Sequence, residues 1–255
     1  FAALKAGDIL YVRGGTYHLS QTIKVNQTGT TDKRICVFAY PGDTERPVFA
    51  FSGQPRSTST EAASYRGVMH NIGANYWHYR GLDFCHAADN GMKLEGSYCV
   101  VELCRFYGNE DTGLQQGFGK DSKGNNTRNT EFKYGRNNII VNCDAYDNND
   151  PWTHGGNADG FAIKLYPGPG NEFHGCRAWH NSDDGWDLYY TVFPIVVDNC
   201  WVLNNGLDKG NANGFKMGGC KQGGTSTGAH VFKNCIAAFN AKKGFDQNHH
   251  REGLT

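Results

Sequence analysis

The chain is poor in proline, with 7 in 255 residues, and it carries no surplus of charge, since 25 Lys and Arg balance 25 Asp and Glu. A zero balance excludes a global field that would recruit nucleic acid or an anionic membrane, so any function that rests on charge must be local. No apolar run approaches the roughly 18 to 20 residues of a membrane span. No charged-then-apolar leader opens the chain, and no CxxC pair offers a zinc site. Nine cysteines are an odd number in a chain too long to need disulfide staples.

What is present is glycine, at 34 residues, together with many asparagines. That composition favours frequent turns and short strands and predicts few helices. The 38% hydrophobic content is adequate for a core of one large β domain or two ordinary ones. The opening "FAALKAGDILYVRGGTY" reads as the middle of a domain and the closing "GLT" as the start of a strand. The native protein is therefore expected to extend beyond both ends.

The cysteines carry a repeat. Six of them are followed five positions later by Asn: "CHAADN" from Cys85, "CRFYGN" from Cys104, "CDAYDN" from Cys143, "CRAWHN" from Cys176, "CWVLNN" from Cys200 and "CIAAFN" from Cys235. Three residues before each stands an apolar residue, Leu82, Val101, Ile140, Phe173, Val197 and Phe232. The intervals between cysteines are 19, 39, 33, 24 and 35 residues, too irregular for a solenoid of helix pairs. They suit an all-β, right-handed single-stranded parallel β-helix, whose connecting loops vary freely in length. Stacked coils lie about 4.8 Å apart, so the cysteines become a buried apolar ladder and the asparagines a ladder of mutually bonded amides. The expected organisation is one β-helix domain over residues 1–255, with N-terminal coils in 1–74 and six Cys/Asn coils in 75–255.

A second motif is Gly, a large apolar residue and a variable one, at Gly91, Gly113, Gly160, Gly185, Gly214 and Gly244. Strand alternation sends Met92, Leu114, Phe161, Trp186, Phe215 and Phe245 inward. The next column, Lys93, Gln115, Ala162, Asp187, Lys216 and Asp246, is expected to point outward on an exposed face. The residues just before each motif Gly are Asn90, Thr112, Asp159, Asp184, Asn213 and Lys243.

Stacking thus gathers Asp159 with the acidic stretch "NSDDGWDLYY", which supplies Asp183, Asp184 and Asp187. Taken singly, an Asp before Gly is an ordinary turn former. Four carboxylates on adjacent rungs repel one another, and a hard cation would resolve the conflict. Oxygen-only ligands without Cys or His indicate Ca²⁺ before a transition metal. Lys216 falls one rung after Asp187, where a nearby cation would pull the lysine below its usual value of about 10.4 toward the range of a base. The arrangement suits removal of a proton α to a carboxylate.

At this point the blocks "NADGFAIKL", "GCRAWHNSDDGWDLYY" and "NANGFKMGG" resemble polysaccharide lyase family 9, parallel β-helix enzymes that cleave pectic polysaccharides by β-elimination. The resemblance runs from about residue 75 to the end of the chain. It implies that Asp159, Asp183, Asp184 and Asp187 bind a catalytic Ca²⁺ and that Lys216 is the base. It also implies an acidic pectic substrate, rhamnogalacturonan I or polygalacturonate with the former slightly favoured, and a secreted, periplasmic or cell-surface location. Nucleic acid and membrane partners are not expected, and a monomer is. Lys164, Tyr189, Trp152, His154, His249 and Arg251 are the candidate substrate-binding residues, because Arg suits bidentate uronate recognition and aromatics suit sugar faces. Two rival readings are a polygalacturonase-type hydrolase, whose Gly-His-Gly and Arg-Ile-Lys blocks are missing, and a non-catalytic binding β-helix.

Overall fold

The computed structural model describes residues 1–56, 65–117, 131–220 and 226–250. Its regular structure is short strands, with no helix among the described residues. The first two coils are β1 (Ile9–Val12), β2 (Gly15–His18) and β3 (Ile23–Val25), then β4 (Ile35–Ala39), β5 (Pro47–Ala50) and β6 (Val68–His70). The next two are β7 (Trp77–Arg80), β8 (Asp83–Cys85) and β9 (Met92–Leu94), then β10 (Val100–Glu102), β11 (Arg105–Tyr107) and β12 (Leu114–Gln116). There follow β13 (Ile139–Val141), β14 (Asp144–Tyr146) and β15 (Phe161–Ile163), then β16 (Asn171–His174), β17 (Arg177–Trp179) and β18 (Trp186–Asp187). The last two coils are β19 (Ile195–Asp198), β20 (Trp201–Leu203) and β21 (Phe215–Lys216), then β22 (Val231–Lys233), β23 (Ile236–Ala238) and β24 (Phe245–Asp246).

Each strand pairs in parallel with the one three places along, which gives three 8-stranded sheets. A coil is therefore one strand from each sheet, and eight coils stack into the expected parallel β-helix. Left-handed residues make the corners. Gly81, Leu103, Asn142, Gly175, Asn199 and Asn234 all have positive φ between the first and second strands of their coils. Glycine and asparagine tolerate that region at the least cost, which is one physical reason the chain is rich in both.

Immediately after these corners comes the cysteine ladder, and here the sequence reading needs one correction. Asp83, Phe84 and Cys85 pair with Arg105, Phe106 and Tyr107, so the residue stacked beneath Cys104 is Leu82 and not Cys85. The amide ladder is shifted likewise. Asn109 donates to Asn148 (2.9 Å), Asn148 to Asn181 (2.8 Å), Asn181 to Asn205 (3.0 Å) and Asn205 to Asn240 (2.9 Å). The same oxygens also accept backbone N–H groups of the preceding coil, including Ala87 N to Asn109 Oδ1. Ala87 holds the ladder position that Asn90 was expected to fill. In four of the six coils the ladder residue stands nine before the motif glycine, 91 − 82, 113 − 104, 185 − 176 and 244 − 235, and that spacing picks out Leu82. The cysteines are free thiols, and Cys104, Cys143, Cys176 and Cys200 are buried as small apolar side chains.

The inward column behaves as expected up to its last member. Met92, Leu114, Phe161, Trp186 and Phe215 are fully buried, while Phe245 is 45% exposed. Trp186 lies between Phe161 (4.6 Å) and Phe215 (5.2 Å), so the tryptophan of the acidic stretch belongs to the core. The glycine before it is required by close approach. A Cβ at Gly185 would lie 2.7 Å from the carbonyl oxygen of Gly214 and 2.6 Å from Val202 Cγ1.

Candidate active site

Three consecutive strands of the third sheet, β15, β18 and β21, carry the acidic cluster. Their register pairs Ala162 with Asp187 and Asp187 with Lys216, extending the column that begins with Lys93 and Gln115. The column was expected to be exposed, and it is sunk instead. Lys93, Gln115, Ala162 and Asp187 are buried and the Lys216 side chain is only 12% exposed.

The residues before the motif glycines form a second column joined by hydrogen bonds. Thr112 Oγ1 donates to Asp159 Oδ2 (3.3 Å), Asp184 N to Asp159 Oδ1 (3.2 Å), and Asn213 N and Nδ2 to Asp184 Oδ1 (2.8 and 2.9 Å). Asp159 thus spends both oxygens on the neighbouring coils and Asp184 spends one. Asp187 does the same locally, its Oδ1 accepting Tyr189 N at 2.9 Å. Thr112 and Asn213 were not singled out as site residues, although their place before a motif glycine was the available signal.

Two ammonium groups face the carboxylates. Lys164 Nζ lies 2.7 Å from Asp159 Oδ2 and 3.3 Å from Asp187 Oδ2. Lys216 Nζ lies 3.2 Å from Asp184 Oδ2 and 3.4 Å from Asp187 Oδ2. The repulsion that seemed to demand a metal is therefore compensated by two lysines, and it does not by itself require a cation. Burial would lower both lysines, but Asp159 and Asp187 outweigh it at Lys164, and Asp187 and Asp184 at Lys216. Both are held above the ordinary lysine value, so in this state Lys216 is a protonated counter-ion, opposite in direction to the shift expected beside a cation. Burial keeps Asp159 well above the ordinary carboxylate range despite Lys164, and pushes Asp184 up to about 7 despite Lys216. At Asp187 burial acts in the same sense, but Lys216 and Lys164 together bring it below the usual value.

The donor set fits a hard cation. Asp159, Asp184 and Asp187 are buried and each offers an oxygen within 4.8 Å of the others. Two oxygens on opposite sides of a Ca²⁺ at about 2.4 Å each would span about 4.8 Å. Asp184 Oδ2 is buried and accepts no hydrogen bond, and its ion-pair partner is the Lys216 ammonium, which a metal would displace. Asp183 stands apart from this triad. Its oxygens accept the backbone N–H groups of Asn157 and Asn211, where it ties two loops together.

Of the sugar-binding candidates, the structure brings Lys164 and Tyr189 to the cluster, the Tyr189 ring centroid lying 5.6 Å from Lys216 Nζ. Trp152 and His154 sit exposed on the loop between β14 and β15, and His249 is exposed on the turn after β24. None of the three is brought into hydrogen-bond contact with the carboxylates. Arg251 lies outside the described residues, as does most of the insertion around 118–130.

The whole chain, residues 1–255, matches the family described as Pel9A-like, right handed beta helix region. Pectate lyase L of Dickeya dadantii (strain 3937) is 36% identical over 100% of this chain and 57% of its own length. Pectate lyase L of Thermoclostridium stercorarium is 36% identical over 97% of this chain and 19% of its own length. The chain therefore spans about half, or less, of these relatives. The crystal structure of pectate lyase Pel9A aligns with a TM-score of 0.81 and 35% identity, covering 98% of this chain and 59% of that one. A rhamnogalacturonan lyase aligns with a TM-score of 0.79 and 25% identity, covering 98% and 64%.

Proposed function

This chain belongs to polysaccharide lyase family 9, and from that premise we infer that it is a calcium-dependent lyase that cleaves the galacturonosyl backbone of pectic polysaccharide by β-elimination. The observation that carries the reading is the placement of Lys216 one rung from Asp187 in a buried column, beside Asp159 and Asp184. The base and the carboxylates that would hold a cation are thereby presented to one substrate residue.

Asp159, Asp184 and Asp187 are the residues that would hold Ca²⁺, and Asp183 adds its charge to the same field. When bound there, Ca²⁺ would supply charge neutralisation for these carboxylates and for the developing uronate charge, and Lys216, no longer needed as their counter-ion, would be free to act as a neutral amine. Lys216 then removes the proton from C5 of the galacturonosyl residue. The electron pair forms the C4–C5 double bond as the C4 glycosidic oxygen departs, and no water is consumed. Lys164 and Tyr189, on either side of Asp187, orient the uronate, and the buried column limits access of solvent to the reacting carbon.

Greater identity to proteins named pectate lyase than to the rhamnogalacturonan lyase supports polygalacturonate as the first substrate to test. Pectic polymers are met outside the cell, and we place the activity there. The test is ultraviolet absorbance of the unsaturated product from polygalacturonate and from rhamnogalacturonan I, with and without EDTA. Lys216→Ala is expected to lower kcat by about 10²- to 10⁴-fold, the range for a lost general base, while Ca²⁺ still binds by calorimetry. Near-normal turnover of that variant would sink the mechanism.

A further inference from the structure

The column that ends in Asp187 and Lys216 begins, on the same face, with a feature the reaction does not use. Lys93 is 6% exposed and Gln115 is 7% exposed, and the two are register partners on β9 and β12. Lys93 Nζ makes no hydrogen bond and no ion pair within 4 Å among the described residues. Gln115 spends its oxygen on Asn90 Nδ2 at 3.0 Å, so what it presents is its NH₂ group. Neither nitrogen is sealed from solvent. A buried amine and a buried amide NH₂ on adjacent rungs, with the one acceptor already occupied, are a donor-only pair. A carboxylate or another oxyanion is the chemistry that satisfies both.

The pair is set among acids, Asp89, Glu95 and Asp111, that act on Lys93 from a distance. Burial, followed by Arg66, pulls the Lys93 ammonium down to about 7, and the acids Glu95 and Asp111 oppose that pull without pairing with it. Arg66 is engaged elsewhere, 3.4 Å from Asp89 Oδ2 and 3.2 Å from Asn90 Oδ1. Lys164 lies on the other side, toward the carboxylate triad. Between the pair and Asp187 the column holds only Ala162, which brings no charge or donor of its own.

We propose that Lys93 and Gln115 form an anionic subsite that holds the carboxylate of a second uronate, three and two rungs respectively from Asp187 along the same column. The span is about 10 to 14 Å at the spacing of hydrogen-bonded strands, too far for one sugar residue to touch both ends. The proposal rests on the lyase reading above and extends it from one reacting residue to a length of polymer.

The test is equilibrium binding of polygalacturonate oligomers and of the same oligomers methyl-esterified, measured by calorimetry in EDTA so that no turnover occurs. The wild-type protein is expected to prefer the free acid. In Lys93→Met, a near-isosteric change, that preference should fall about tenfold, the scale of one charge-assisted hydrogen bond. Gln115→Glu keeps the acceptor for Asn90 and replaces the donor by a charge, and it should lower the preference further. An unchanged preference in both variants, or an equal loss for acid and ester, overturns the subsite. If the wild-type protein binds neither oligomer the subsite is overturned, and if it also releases no unsaturated product once Ca²⁺ is supplied, the lyase reading fails as well.

Discussion

At the scale of single residues, the site is a contest for Asp187 Oδ2. Lys164 and Lys216 both reach this oxygen, and each also holds one further carboxylate, Asp159 and Asp184 respectively. Two unit charges at about 4 Å interact by about 4 kcal/mol at an effective dielectric of 20, so either ammonium is a strong competitor for a metal. Lys164→Met should therefore tighten Ca²⁺ binding by about tenfold or more in calorimetry, while destabilising the calcium-free fold by leaving Asp159 buried without its partner. Unchanged or weaker Ca²⁺ binding would refute the counter-ion role. The carboxylates were legible in the sequence because an Asp before a repeated glycine has a fixed place on its rung. The part played by Lys164 was not, because a long side chain that folds back across its own strand leaves no period behind. Asp183 was legible as an acid of the same turn, and the structure adds that its oxygens accept the amides of Asn157 and Asn211.

At the scale of the element, the repeating unit is a short strand, a left-handed corner and a buried amide. Asn148 stands in the middle of the ladder, accepting from Asn109 and Asn109 N and donating to Asn181 and to the Phe106 carbonyl. Asn148→Ala strands these groups in the core and should cost about 1–3 kcal/mol for each left unpaired, read as a lowered midpoint in urea. A change under half a kilocalorie would mean that water replaces the amide. Gly185→Ala should cost more, since its Cβ would press on the Gly214 carbonyl at 2.7 Å and force β18 away from β21. The strands and columns were readable because alternation and stacking are local rules. Register between coils depends on the number of residues in each corner, which is why Cys85, six residues before its glycine, was mistaken for the ladder position of Leu82 nine residues before it. The burial of the Lys93–Lys216 column was equally unreadable, because alternation along a strand gives the face of a side chain and not what covers it.

At the scale of the whole molecule, each coil touches chiefly the coils beside it, so stability is close to a sum of local and nearest-neighbour terms. The triad draws on two successive coils, through Asp159 before β15 and Asp184 and Asp187 at β18, with Lys216 following on β21. A cation held there would act as a cross-brace over those coils and add stability in proportion to its saturation. The coils of β1 to β6 share no ligand with it and would feel the brace only through the stack. Hydrogen exchange distinguishes this from a general tightening. Adding Ca²⁺ should slow exchange most at Asp184 N and Asn213 N, whose acceptors are Asp159 Oδ1 and Asp184 Oδ1, and at Gly160, Gly185 and Gly214, whose amides pair coil to coil beside them. Amides of β1 to β6 should change little. Uniform protection along the solenoid would mean that the coils unfold as one cooperative unit, and protection confined to other coils would place the metal elsewhere.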